Sequence, residues 1–261
     1  MKIVKINKSG LFYKVYFDTS EAYKFHESVI IKYSFLRRGL EVSKDVLELA
    51  KLDNEYHLAL DKGIKYLEVL HTKYETIIYL RKFFDSNLVT KVVHKLEDLK
   101  LINDFEYVKS YVQKSKNKCY GPKKISNDLE QFKVEKEYIN LALNDYSFQE
   151  QIISCEKLLN KYLPNLKKES ILSGRRKITN FMLGKGFSNE IITIVLEKNN
   201  NLLDNISDDD TLLEKAYDKI MQKKGSSNER DFKNKVIRSL TNKGFQLSKV
   251  LKIVERRREH D

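Results

Sequence analysis

The sequence predicts a mainly α protein: tandem three-helix repeats in an elongated, curved array, preceded by a small N-terminal β-hairpin plus helices. Three observations predict it. A 20-residue apolar pattern occurs four times, anchored on Phe84, Val134, Phe187 and Phe245, with anchors 50, 53 and 58 residues apart. Self-similarity at that period is the mark of stacked helical units. The 261 residues include only nine Gly and two Pro, which leaves few turns and favours long helices. Strict apolar alternation is confined to the first two dozen residues.

Along the chain, Ile3 and then Phe12 or Tyr13, Val15 and Phe17 alternate around a Ser9-Gly10 turn, which reads as a hairpin. Residues 21–25 add a short third strand. The segment HESVIIKYSFLRRG reads as one helix closed by Gly39, with Arg37 and Arg38 in its last turn. Ser43 caps a short helix with Val46, Leu47 and Leu49 on its apolar side, and a separate helix covers residues 56–71.

Each repeat then supplies two helices around its anchor. Tyr79, Leu129, Met182 and Leu240 stand five residues before the anchors, and Val89, Ile139, Ile192 and Val250 five after. Val92, Ala142, Val195 and Ile253 follow at eight, and Val93, Leu143, Leu196 and Val254 at nine. In the third and fourth copies the motif Lys-Gly-Phe ends the first helix: the Gly takes the left-handed conformation and the Phe folds back onto the core. The first two copies have Phe83 and Lys133 in place of that Gly, so their turns are expected to close differently. A third helix follows in copies one to three, at residues 104–116, 146–162 and 211–223. Copy four stops after two helices, as a terminal unit does. The expected division is an N-terminal module (1–55), a leading helix with repeat 1 (56–116), repeat 2 (117–167), repeat 3 (168–225) and a partial, basic repeat 4 (226–261).

Composition narrows the chemistry. One residue in three is charged and no apolar run approaches a membrane span of roughly 20 residues. MKIVKINKSG lacks the apolar stretch of a signal peptide, so a cytoplasmic location is expected, with no membrane contact. Cys119 and Cys155 are isolated, which argues against a disulfide framework and a zinc site. The five histidines lack ligand spacing. Asp208, Asp209 and Asp210 could form a metal cluster, but their place before a helix favours capping. No Gly-rich phosphate loop and no Ser/His/Asp motif is present. No enzyme activity and no cofactor are expected.

The net charge of +12 is uneven: residues 223–261 carry twelve Lys and Arg against five Asp and Glu. Basic residues also recur between repeats. Lys114, Lys116 and Lys118 lead into Gly121-Pro122-Lys123-Lys124. Ser173-Gly174 leads into Arg175-Arg176-Lys177, and Lys223-Lys224 into Arg230. Cations at the start of a helix oppose its dipole and help the fold little, so they suit an external acidic ligand. A solvated loop is the plainer alternative.

These features resemble the RecX family, the regulators of the RecA recombinase. The stretch KLEDLKLINDFEYVKSYVQKSKNKCYGPKKISNDLEQFKV, residues 95–134, is similar to that family's run of leucine-rich helix, short turn, aromatic-rich helix and basic Gly-Pro lead-in. The hairpin followed by VIIKYSFLRRGLEV, residues 29–42, resembles the extra module on RecX proteins of low-GC Gram-positive bacteria. There are departures. The first repeat begins His71-Thr72-Lys73-Tyr74-Glu75 where many members have Arg-x-Arg-Ser, and copy two has Lys133-Val134 where Gly-Ile or Gly-Phe is common. The resemblance implies a non-enzymatic protein that binds RecA and its filament on single-stranded DNA. It would lodge in the filament groove, suppress recombinase, ATPase and co-protease activity, and so regulate DNA repair and the SOS response. A monomer is expected, with direct contact to the DNA backbone as a further option. The candidate RecA- or DNA-binding residues are Lys116, Lys118, Lys123, Lys124, Arg175, Arg176, Lys177, Arg230, Arg256, Arg257 and Arg258. The alternative reading is a stand-alone nucleic-acid-binding protein that uses the same clusters, with some of its 15 tyrosines stacking on bases.

Overall fold

The computed structural model describes residues 1–205, 207–222 and 229–256, the side chains being described from residue 231 in the last of these. It is mainly α, with one small antiparallel sheet. Two compact units make up the chain: Met1–Val108 with Gln131–Tyr138, and Lys109–Glu130 with Ile139–Asp261.

In the first unit, β1 (Ile3–Ser9), β2 (Phe12–Phe17) and β3 (Ala22–His26) pair in order, each antiparallel to the next. Gly10 takes φ +61° in the β1–β2 turn. Tyr13, Val15 and Phe17 face inward, so Tyr13 rather than Phe12 continues the alternation. With Ile3 and Phe25 they pack on Val29 and Ile30 of α1 (Glu27–Lys32), on Phe35, and on Leu47 and Ala50 of α2 (Lys44–Tyr66). The expected long helix through residue 38 is not formed. α1 ends at Lys32, Ser34 turns left-handed (φ +57°), and Gly39 (φ +83°) serves instead to return the chain to β1, its N–H donating to the Ile3 carbonyl at 2.8 Å.

α2 also differs from expectation. The two helices read around residues 44–50 and 56–71 are one 23-residue helix, and the boundary expected at residue 55 lies inside it. Asn54, mid-helix, has a tertiary partner that offsets its modest helix propensity. Its side chain accepts from the His26 N–H at 2.6 Å and donates to the Lys24 carbonyl at 3.2 Å. The N-terminal half of α2 covers the sheet module. The C-terminal half, at Ala59 and Gly63, packs on repeat 1, where a Cβ on Gly63 would lie 2.7 Å from Leu96.

Repeat 1 contains α3 (Lys73–Leu80), α4 (Ser86–Asp98) and α5 (Asp104–Asn117). Thr72 and Glu75 form a reciprocal capping box, and Asp85 caps α4. Val89, Val92, Val93 and Leu96 make its core with Leu80. Leu80 takes the buried place expected of Tyr79, and Phe83 is 53% exposed, so the first copy does close differently. The second copy does not. Lys133 sits at φ +56°, the same left-handed region as Gly186 (φ +89°) and Gly244 (φ +85°). A β-carbon makes that conformation costly, not impossible.

Repeat 2 contains α6 (Pro122–Gln131), α7 (Lys136–Asn144) and α8 (Phe148–Tyr162), followed by a 3-10 turn at Leu163–Leu166. Repeat 3 contains α9 (Ile171–Gly184), α10 (Asn189–Lys198), the short α11 (Asn200–Asp204) and α12 (Asp209–Met221). α13 (Glu229–Asn242) and α14 (Leu247–Arg256) form the last copy. The second unit includes two cores that join one repeat to the next. One joins Cys155, Leu158 and Leu159 to Ile178, Met182, Phe187 and Val195. The other joins Leu213 and Tyr217 to Val236, Leu240, Phe245 and Val250. Nearly every position of the repeated pattern is therefore a core position.

In the second unit the closing turn of one repeat rests on the first helix of the repeat before it. The Lys185 carbonyl accepts from the Gly121 N–H at 2.7 Å, and the Gly186 carbonyl from the Lys123 N–H at 3.2 Å. The Lys243 carbonyl accepts from the Ser170 hydroxyl at 2.7 Å. No room remains for a side chain: a Cβ on Gly186 would stand 2.3 Å from the Lys124 nitrogen, one on Gly121 2.3 Å from the Gly186 oxygen, and one on Gly244 2.8 Å from the Ser170 hydroxyl.

Gly186→Ala is expected to lower stability by about 2–4 kcal/mol, combining left-handed strain with the clash at α6. Lys133→Gly is expected to raise it by about 0.5–1 kcal/mol, the relief of strain exceeding the chain entropy added to the unfolded state. Urea unfolding of the two variants checks both signs.

Candidate interaction surface

In repeats 1 and 3 the third helix begins with an acid that caps the first helix of the same repeat. Asp104 accepts from the Lys73 N–H at 2.7 Å, and Asp209 from the Ile171 N–H at 3.1 Å. Burial raises the Asp104 carboxyl above its ordinary range, opposed by the Lys73 backbone bond and the Lys73 charge. Asp208 caps α12 through the Thr211 N–H, and Asp210 pairs with Lys249 at 2.7 Å. The aspartate run thus caps helices, and among the described residues no group of three or more His, Cys, Asp or Glu could hold a metal ion. No helix among them is long and apolar enough to cross a membrane.

The candidate cations fall into three groups. Five have carboxylate partners. The Lys116 ammonium, on a side chain only 14% exposed, pairs with Glu150 at 2.7 Å and donates to the Asp145 carbonyl at 3.1 Å. It thereby ties the end of α5 to the start of α8. Lys124 pairs with Asp128 at 3.1 Å, Arg175 with Asp204 at 2.9 Å, Lys177 with Glu169 at 2.6 Å, and Arg256 with Glu214. Lys118, Lys123 and Arg176 are exposed and have no ion pair among the described residues. Arg230 lies in the first turn of α13, where side chains are not described, and Arg257 and Arg258 lie outside the described residues.

The dipole argument for the lead-in at Lys123 and Lys124 changes with the geometry. The start of α6 does not face solvent as a bare positive end, because the last carbonyls of α9 already occupy it. Lys123 sits beside those carbonyls, so its charge is locally tolerated as well as available.

The structure also brings together cations that sequence reasoning missed. Lys118 lies with Lys161 and Lys185 around a cleft of about 560 Å³, whose walls include the rings of Tyr120, Tyr162 and Phe181. Tyr162 and Phe181 stack at 4.5 Å with 22° between their planes. The Lys185 ammonium lies 5.2 Å from the Tyr120 ring centre and 5.3 Å from that of Phe181. Lys185 belongs to the Lys-Gly-Phe motif, in which the turn explains the glycine and the phenylalanine but not the lysine. That unexplained basic residue was the available signal. Lys161 gave none, being one lysine among many on a helix face.

The fold defines a class: a mainly α protein of tandem helical repeats, with cations at the joints between them. A search of family models finds no match. Individual proteins do match. The chain is 30% identical to the regulatory protein RecX of Bacillus cytotoxicus over 250 residues, covering 91% of this chain and 90% of that one. It is 28% identical to regulatory protein RecX of Enterococcus faecalis over 271 residues, covering 99% and 98%, and 31% identical to that of Leuconostoc mesenteroides over 198 residues, covering 75% and 74%. Among solved structures, a crystal structure of regulatory protein RecX superposes with a TM-score of 0.66 at 24% identity, over 75% of this chain and 98% of that chain. RecX from Lactobacillus salivarius gives 0.52 at 28% identity, over 56% and 97%. The chain belongs to the RecX family of regulatory proteins.

Lys116→Met is expected to cost about 1–2 kcal/mol, because it leaves Glu150 and the Asp145 carbonyl without their shared cation, while Lys118→Met stays within about 0.5 kcal/mol. Thermal melts of the two variants separate a structural lysine from a free one. A second contrast concerns the cysteines, both free. Burial pushes the Cys155 thiol up to about 12, whereas Cys119 is half-exposed at the end of α5. Iodoacetamide at pH 8 should therefore alkylate Cys119 and spare Cys155, since almost no Cys155 thiolate exists four pH units below that value. Peptide mass mapping reads the result.

Proposed function

We propose that this protein binds RecA and its filament on single-stranded DNA, and that it modulates, mostly by inhibition, the recombinase, ATPase and co-protease activities. It would act in the cytoplasm as a non-enzymatic regulator of DNA repair. The observation that carries this reading is family membership over nine-tenths of a relative's length. The architecture supports it physically. Repeats that carry cations at successive joints can meet a repeating acidic partner several times, so individually weak contacts add through effective concentration. Lys118, Lys123 and Arg176 are the contacts of choice, because they have no internal carboxylate to give up. Arg175 is less suited, since reversing its charge would set a glutamate against Asp204 and report on folding instead.

Titration into a RecA ATPase assay on single-stranded DNA tests the reading directly. Hydrolysis is expected to fall with added protein. A Lys123→Glu, Arg176→Glu double variant is expected to raise the half-inhibitory concentration by about tenfold while its melting curve stays near wild type. A titration that leaves hydrolysis unchanged, together with no capture of RecA by the tagged protein, would sink it.

A further inference from the structure

We infer that the cleft between α8 and α9 is a binding site for one nucleotide unit, an aromatic base with its phosphate, which the protein engages by itself without RecA. Three lysines, Lys118, Lys161 and Lys185, line this cleft, and no carboxylate is among its lining residues. None of the three has an ion pair among the described residues. Elsewhere Lys116, Lys124, Arg175 and Lys177 are matched with acids, and the unmatched Lys123 and Arg176 line no such cleft. Leaving three like charges together unmatched costs repulsion that an anion removes, so the local field selects a negatively charged ligand.

The walls decide which anion. Tyr120, Tyr162 and Phe181 line the same space. An inorganic ion or a carboxylate side chain has no use for three aromatic rings, whereas a base stacks on them with a sequence-tolerant gain. Lys185 marks the place, since its ammonium already lies over the faces of two of those rings. It sits on a flexible stem and can swing from ring to phosphate as a base moves in. The volume, about 560 Å³, lies within the range of clefts that hold a small ligand. An acidic peptide would satisfy the lysines but would leave the rings unused.

The test is fluorescence anisotropy of labelled strands with the full-length protein and no RecA present. An oligothymidylate is compared with an abasic strand of equal length and with a glutamate-rich peptide, and thymidine monophosphate serves as competitor. Wild type should bind the oligothymidylate about tenfold tighter than the abasic strand, the difference expected of one stacked base. Phe181→Leu should erase that difference. Lys161→Glu, at an exposed position that no core uses, should weaken the oligothymidylate and the abasic strand together and lower the salt slope by about 0.7. Displacement by thymidine monophosphate would identify free nucleotide as the occupant, and its failure to displace would identify a strand; both support the site. Equal binding of the two strands by a folded wild type, no change on Lys161→Glu, or tighter binding of the peptide overturns it. The outcome is independent of RecA regulation, because RecA is absent from every arm.

Discussion

The second unit depends on one interaction: the last carbonyls of a helix held against the first N–H groups of another. A helix leaves its first four N–H groups and last four carbonyls without internal partners. Here two such deficits cancel, as the Lys185 and Gly186 carbonyls meet the Gly121 and Lys123 N–H groups, with opposite dipole ends in contact. The approach is close enough to exclude a methyl group on either strand of the contact. That steric demand explains why a left-handed residue alone does not suffice at this turn. Lys133 shows that the backbone angle can be had without glycine, so glycine at 186 and 244 answers to the neighbouring helix as much as to φ.

The same logic orders the charges. A chain with a net charge of +12 has every reason to place acids where they neutralise and cap at once. Asp104 and Asp209 each cap one helix from the first turn of another, and Glu150 closes its own capping box while holding Lys116. Acids spent on joints and caps leave the basic excess on the outside. Lysines that look alike in the sequence thereby divide into clamps and free cations, and the division follows from which carboxylate lies across the joint.

Much of the fold was legible. The apolar periodicity located the core of every repeat, and the cap residues Ser43 and Asp208 marked where helices begin. The errors have physical causes. The continuous α2 was missed because the bonds that hold Asn54 to β3 reach back 28 and 30 positions and leave no local signal. The end of α1 was misplaced because Gly39 signals a C-cap but works in a return to β1. The surface was less legible than the core. Periodicity reports burial, whereas the partner of Lys116 lies 34 positions away and the companions of Lys118 on two other helices. Such neighbours are fixed by packing of one repeat on the next, which no local pattern encodes.

The joints also bear on how the protein is made. The Ser170 hydroxyl waits for a carbonyl 73 residues further along. At roughly 5–20 residues per second, a ribosome needs about 4–15 s to supply it. During that interval the start of α9 exists without its clasp, and the Gly121 end of α6 has a somewhat shorter wait for Lys185. The emerging chain therefore passes through stages in which the third helix of its newest repeat still lacks the apolar face that the next repeat supplies, as Leu158 and Leu159 await Ile178 and Met182.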